Sequence, residues 1–324
     1  MTLRLGLVGG GWISRLHLEA LQRLERTELI GVVAGSRATA DAVTGEWGGT
    51  SYDDLDRMLE AGRPDVVFVA VPPHRAVPVA EKLVAKQIPF LIEKPLSATD
   101  AEGVARVADA IDQSRLVVAV GYHLRALDIM AEVRARLAEL PAQLFVARWL
   151  DSTPEPAWWS RTAEGGGQVV EQATHLYDLA RTLVGEATVV GAASTRDLAH
   201  ATPGVDVADS SASVLRFETG AVGSFANTHK INTAVIEVEL VSDGLLTTLT
   251  KRPDRGQGDW HATFDDGTVI RAVSAEGDPY ETQAAKFLDA VEWADPGGVL
   301  CTYEDALGTD RLTRAVVAAT GAPG

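Results

Sequence analysis

Over the first 120 residues, short apolar runs alternate with amphipathic stretches. Leu3 to Val8 is apolar, an amphipathic segment runs to about Arg26, and Leu29 to Ala34 is apolar again. Val66 to Val71, Phe90 to Ile92 and Leu116 to Val120 are further continuous apolar runs, as expected of parallel strands covered on both faces. Between them, Arg75 to Lys86 reads as a helix with Ala76, Val79, Ala80, Leu83 and Val84 on one face, and a second helix runs to about Gln113. Thr99 is the expected N-cap of that second helix, with Glu102 at the box position. Repeated strand–helix–strand order predicts a doubly wound parallel sheet.

The pattern changes after about residue 140. Ala212 to Phe217, Val222 to Thr228 and Ala234 to Val241 alternate, and in the last Ile236, Val238 and Leu240 face opposite to Glu237 and Glu239. Thr219-Gly220, Asp243-Gly244 and Asp266-Gly267 are turn signals, so an antiparallel sheet is predicted. Helices are expected at about Gln168 to Val184, Tyr280 to Trp293 and Glu304 to Ala319. One boundary near Gly121 divides the chain into domains at 1–120 and 121–324.

Composition narrows the partners. The 324 residues are 46% hydrophobic and 23% charged, ordinary for a globular chain. A net charge of −16 argues against nucleic acid or an anionic membrane surface. The single cysteine, Cys301, leaves no internal disulfide, and no cluster has metal-ligand spacing. No apolar run is long enough to span a bilayer, and the first strand begins too early to leave room for a signal peptide, so the expected location is the cytoplasm.

Against that background a few residues stand out. Gly9, Gly10 and Gly11 follow the first strand, and Gly9, Gly11 and Ser14 form G-x-G-x-x-S. Small residues there permit a tight turn, close approach of backbone N–H groups to a pyrophosphate, and packing of helix on strand. The end of the second strand carries Gly35-Ser36-Arg37 with no acid before Asp41, which suits a 2′-phosphate better than a free ribose hydroxyl. Glu93-Lys94-Pro95 closes a buried strand, where open parallel sheets bind ligands. Gly165-Gly166-Gly167 precedes a helix whose apolar stripe is Val169, Ala173, Leu176, Ala180 and Leu183. Glu171, His175 and Asp178 lie on its opposite face, either as a solvent side or as carboxylates orienting a histidine. Trp12, Trp158 and Trp159 are placed to wall a sugar or to pack, and Tyr122, His123 and Arg125 are expected in the interdomain cleft.

These motifs, with Gly121-Tyr122-His123-Leu124-Arg125 and the Gly165 to Asp178 run in the same order, resemble the glucose–fructose oxidoreductase/inositol dehydrogenase (Gfo/Idh/MocA) family over essentially the whole chain. The resemblance implies an α/β fold: an N-terminal Rossmann doubly wound parallel sheet, then a C-terminal α+β domain with an open, mainly antiparallel sheet. It implies that Lys94 and His175 are the catalytic pair, with Glu171 where many members carry aspartate. Ala76 and Leu124 depart from residues common in the family, which bears on the substrate more than on the hydride chemistry. Expected cofactor contacts are Gly9, Gly10, Gly11, Trp12, Ile13, Ser36, Arg37, Val71, Pro72, Glu93, Lys94 and His123. Expected substrate contacts are Lys94, Tyr122, Arg125, Trp158, Glu171, Gln172 and His175. The implied activity is NADP-dependent hydride transfer, with NAD as the other candidate, to or from a secondary alcohol or ketone of a sugar, cyclitol or related polyol. A dihydrodiol or imine reductase and a non-catalytic dinucleotide sensor are the alternatives. A homodimer or homotetramer is expected, because an uncovered sheet face carrying alternate Val, Phe and Leu would be a large exposed apolar patch.

Overall fold

The computed structural model describes residues 2–196, 204–251 and 260–321. The chain divides into two compact units, Met1–Ala126 with Asp278–Leu307, and Leu127–Gly277 with Gly308–Gly324. In the first, β1 (Leu3–Val8), α1 (Trp12–Leu24), β2 (Thr27–Val33), α2 (Arg37–Trp47), β3 (Thr50–Tyr52), the single turn α3 (Leu55–Arg57), β4 (Val66–Val69), α4 (Ala76–Ala85), β5 (Phe90–Ile92), α5 (Ala101–Ser114) and β6 (Val118–Val120) follow in order. The sheet order is β3-β2-β1-β4-β5-β6, and every neighbouring pair is parallel. Successive residues serve opposite faces: Val67 and Val69 join a core with α4 and α5, while Val66 and Phe68 join one with α1 and α2. The N-cap of α5 is Asp100 rather than Thr99; its carboxylate accepts from the Gly103 N–H at 2.8 Å.

Register fixes where the site lies in this unit. Val33, Val8, Val69, Ile92 and Val120 form one row across the sheet. The residues that follow them therefore share one rim, so the Gly9 turn, Glu93 and Gly121 lie along one edge, Glu93 beside Gly121 and two strands from the turn, although they are far apart in sequence.

The second unit contains α6 (Met130–Glu139), β7 (Leu144–Leu150), the turn α7 (Thr162–Gly165), α8 (Gly167–Glu171), α9 (Thr174–Val184), β8 (Ala187–Thr195), β9 (Ser210–Phe217), β10 (Val222–Thr228), β11 (Val235–Ser242), β12 (Leu245–Lys251), β13 (Trp260–Asp265) and β14 (Ile270–Ser274). The strands form a sheet in the order β14-β13-β12-β11-β7-β10-β9-β8, antiparallel except for the β7–β10 pair. The expected alternation holds in β11, where Ile236, Val238 and Leu240 are buried. Leu215, Phe217 and Phe225 are also buried, so the large apolar side chains line the covered face. The other face carries smaller and polar residues, with Arg148 paired to Glu237 at 2.9 Å and Val214 and Val222 about two-fifths exposed. The uncovered Val–Phe–Leu face expected from sequence is thus not what the sheet presents.

The predicted helix at 168–184 is two helices. The Gln168 carbonyl accepts from both Gln172 and Ala173 N–H groups, which breaks the regular ladder at Gln172-Ala173. The polar side of α9 is not a solvent face either: His175 and Asp178 are 3% and 1% exposed.

The chain closes with α10 (Pro279–Trp293) and α11 (Tyr303–Ala319). A single boundary at 120/121 would put both in the second unit, yet α10 belongs to the first. Ala284, Phe287 and Leu288 are fully buried in the core formed by Leu5, Leu7 and Phe68. Arg23 of α1 and Arg26, just after it, pair with Asp278, Glu281, Asp289 and Glu292 around that contact. Burial of each large apolar side chain contributes about 1.5–3 kcal/mol, against roughly 0–1 kcal/mol for an exposed ion pair, so the apolar stripe decides where α10 docks.

Candidate active site

The glycine turn follows β1 directly. Gly9 has φ +133°, and a Cβ on it would collide with the Ala70 carbonyl and approach Ser14 Oγ to 2.9 Å. Only glycine fits there. Gly11 is different: nothing lies within 4 Å of the position its Cβ would take. It is exposed and forms the N-cap of α1 without a side-chain cap bond. Fold geometry demands Gly9, whereas Gly11 leaves open space beside the uncapped N–H groups of α1. Ser14 is fully buried behind the turn, Ile13 is half-buried, and Trp12 stands out beside it with 71% of its surface exposed.

At the end of β2, Ser36 caps α2, its Oγ accepting from the Thr39 N–H at 3.1 Å. Arg37 donates through Nε to Asp41 at 2.9 Å and through Nη1 to Asp53 at 3.1 Å. Hydrogen bonds from Ser51 and then Arg37 lower the Asp41 carboxyl, so it is ionised at neutral pH. Asp53 enters this cluster through β3 and the turn after it, which sequence spacing did not show.

The rim next to the glycine turn is built around Glu93. Its N–H donates to Val69 O at 2.8 Å, extending the ladder past β5, and the Lys94–Pro95 bond that follows is cis. The Glu93 carboxylate is buried and meets His17 Nε2 at 2.8 Å. It lies against Gly121, where a Cβ would come within 2.6 Å of Oε1. The His17 ring stands edge-on to Phe68 and to Tyr280, each at 5.3 Å. Tyr280 stacks on His123 at 4.8 Å, and burial, with the Glu93 charge nearby, pushes its phenol far above the usual range. Lys94, Val71 and Pro72 are half-buried on the same rim. Tyr122 is buried in the apolar core, and Arg125 is buried and bonded to Asp305 and to the Leu300 carbonyl. His17 and Tyr280 carry no site reading in the sequence, whereas Gly121 opens the Gly121-Tyr122-His123-Leu124-Arg125 motif. His17 had a local signal, one turn after Ser14 on the apolar side of α1; Tyr280 had none.

In the second unit the triple glycine sets the entry to α8. Gly166 and Gly167 have φ +81° and +78°, and a Cβ on Gly165 would press on the Trp158–Trp159 backbone at 3.1 Å. Gln168 Nε2 donates to Thr228 O at 2.8 Å and Trp149 O at 3.3 Å, tying α8 to the ends of β10 and β7. His175 stacks on Trp149, ring centroids 5.8 Å apart. Glu171 accepts from Trp159 Nε1 at 2.8 Å. Trp159 is itself buried and packs edge-on against His229, whose Nδ1 meets Thr153 Oγ1 at 2.8 Å. Burial pushes the His229 imidazole below its usual range, and Lys230 adds to the shift. Asp178 accepts from Thr309 Oγ1 at 3.1 Å, and Thr309 in turn accepts from Arg181 at 2.8 Å. Trp158 is half-buried and Gln172 is buried.

Among the described residues, no group of three His, Cys, Asp or Glu side chains could hold a metal ion. No helix there is long and apolar enough to cross a membrane.

A parallel sheet with such a turn, in one chain with an open antiparallel sheet, defines a class: two-unit proteins with a Rossmann dinucleotide-binding fold. The profile described as "Oxidoreductase family, NAD-binding Rossmann fold" matches residues 3–122, and that of the "GFO/IDH/MocA C-terminal domain" matches residues 142–242. The chain belongs to the GFO/IDH/MocA family. The rhizopine catabolism protein MocA of Rhizobium meliloti is 29% identical over 184 residues, 56% of this chain and 57% of that one. The inositol 2-dehydrogenase of Rhizobium meliloti (strain 1021) is 26% identical over 194 residues, 58% and 57% of the two chains. The chain thus spans a little over half the length of these relatives. Its fold matches that of levoglucosan dehydrogenase in complex with NADH and levoglucosan, with TM-score 0.86, 21% identity, and coverage of 99% and 97%.

Proposed function

We propose that this protein is an NADP-dependent oxidoreductase of the cytoplasm. It would act on a secondary alcohol or ketone of a sugar, cyclitol or related polyol. The observation that carries this reading is the shared rim, which sets Lys94 two strands from the Gly9–Gly11 turn at the C-terminal edge of one parallel sheet. The open side of Gly11 and the uncapped start of α1 fit a dinucleotide pyrophosphate. When bound, the nicotinamide supplies or accepts the hydride. Lys94 stabilises negative charge developing on the substrate oxygen. His175, its ring plane set by Trp149, exchanges the proton as general acid/base. Glu171, anchored by Trp159, is the carboxylate we assign to the substrate side; Asp178 is committed to Thr309. Gln172 and Trp158 are the further substrate contacts we assign in this unit, and His123 with Tyr280 walls the rim beside Glu93.

For the cofactor, the end of β2 offers Ser36 and Arg37 and no carboxylate of its own. A 2′-phosphate would take over Arg37 from Asp41 and Asp53. The deciding experiment is a panel of sugars, inositols and nucleotide sugars screened for NADP reduction and NAD reduction. Turnover with a polyol supports the reading. Cofactor binding with no turnover on any member of the panel, or turnover retained by Lys94→Met, overturns it.

A further inference from the structure

We propose that His17 is a positioning residue for Lys94, acting through Glu93; this rests on the catalytic reading of Lys94 given above. The lysine stem has four rotatable carbons, so the direction of its ammonium depends on how firmly the stem's base is held. Lys94 follows Glu93 directly, and Glu93 is fixed at two points. Its N–H is held by Val69 O at 2.8 Å, and its carboxylate by His17 Nε2 at 2.8 Å. Gly121 supplies the surface against which the carboxylate lies, since any Cβ there would displace it. His17 is 1% exposed, and Phe68 and Tyr280 hold its ring from two sides.

A buried pair of this kind is a poor source of stability, because desolvation offsets the attraction and an apolar pair of similar size serves as well. Its placement beside Lys94 gives it a use that an apolar pair could not have: a directional bond that fixes one side chain in one place. The same helix carries the glycine turn at its start and His17 six residues after Gly11. The element that receives the pyrophosphate therefore also sets the base of the lysine arm.

The test uses the full chain and needs no substrate for its first arm. Lys94 acetylation by acetic anhydride is followed by peptide mass spectrometry, with Lys82 as an internal reference. In His17→Leu, Lys94 labelling should rise at least about threefold relative to Lys82, and His17→Gln, whose amide nitrogen can replace Nε2, should restore the wild-type rate. Gly121→Ala, which dislodges the Glu93 carboxylate and leaves His17 in place, should reproduce the His17→Leu result and keeps the test open if His17→Leu does not fold. On an active polyol, kcat should fall about 10–100-fold in His17→Leu, with substrate KM and cofactor Kd within about threefold, the scale seen when an orienting partner is removed. Wild-type Lys94 labelling in folded His17→Leu or folded Gly121→Ala overturns the proposal. Full turnover by Lys94→Met would instead remove the catalytic reading, while the labelling rates would still report on the anchoring.

Discussion

Arg37 is exposed and shares its donors between Asp41 and Asp53. Such contacts exchange easily, so Arg37→Ala should weaken NADPH binding by about tenfold or more and leave NADH within about twofold, as read by cofactor fluorescence. A wild-type preference for NADH would refute the NADP assignment. Lys94→Met should lower turnover roughly 10²–10³-fold and His175→Ala roughly 10²–10⁴-fold, each with cofactor affinity nearly unchanged. His229 supplies a prediction about acid. Its folded pKa is depressed by burial below the unfolded value of about 6.5. Below that value the unfolded chain takes up a proton that the folded chain refuses, so the stability His229 confers is present above pH 6.5 and lost as pH falls. A plot of Tm against pH between 7 and 5 should be flatter in His229→Gln than in wild type.

At the level of elements, α10 is held by its apolar stripe. Phe287→Ala should cost about 3–5 kcal/mol in urea unfolding, whereas Arg23→Ala should cost under about 1 kcal/mol, because its partners are solvated. The central parallel strands were legible because both their faces are buried, leaving unbroken apolar runs such as Val66–Val69, whereas the half-exposed edge strand β3 (Thr50–Tyr52) left no such run. The site was legible where its chemistry is compressed into adjacent letters: the glycine turn, Glu93-Lys94-Pro95 and the triple glycine. β7 was not found, since Leu144–Leu150 mixes Arg148 and Trp149 into a strand whose partners come from far along the chain. Nor was the break between α8 and α9 foreseen, for no Gly or Pro marks it. The placement of α10 was misjudged for a related reason. A periodic stripe states that a helix buries one face but not which sheet receives it, and here Phe287 meets Phe68, more than 200 residues earlier, with ring centroids 5.5 Å apart.

For the whole molecule, we expect association through the open face of the eight-stranded sheet. That face is less apolar than the sequence implied, but Val214, Val222 and Ala226 are exposed on it between the small residues of neighbouring strands. Light scattering at micromolar concentration should give a dimer or tetramer, and Val222→Glu should shift it toward the 34.4 kDa monomer. A wild-type monomer, or a dimer indifferent to Val222→Glu, would place the contact elsewhere or remove it. The docking of α10 also has a consequence for how the chain is made. The first sheet emerges from the ribosome with Leu5, Leu7 and Phe68 still lacking Phe287 and Leu288. Those partners follow only after the intervening Leu127–Gly277. About 150 residues at roughly 5–20 residues per second takes about 8–30 seconds. Through that interval the nascent sheet offers an apolar face to chaperones and to other nascent chains. A chain stopped at Ala126 should stay in that state and aggregate, and one with Asp278–Leu307 joined to Ala126 by a short linker should become soluble and bind dinucleotide.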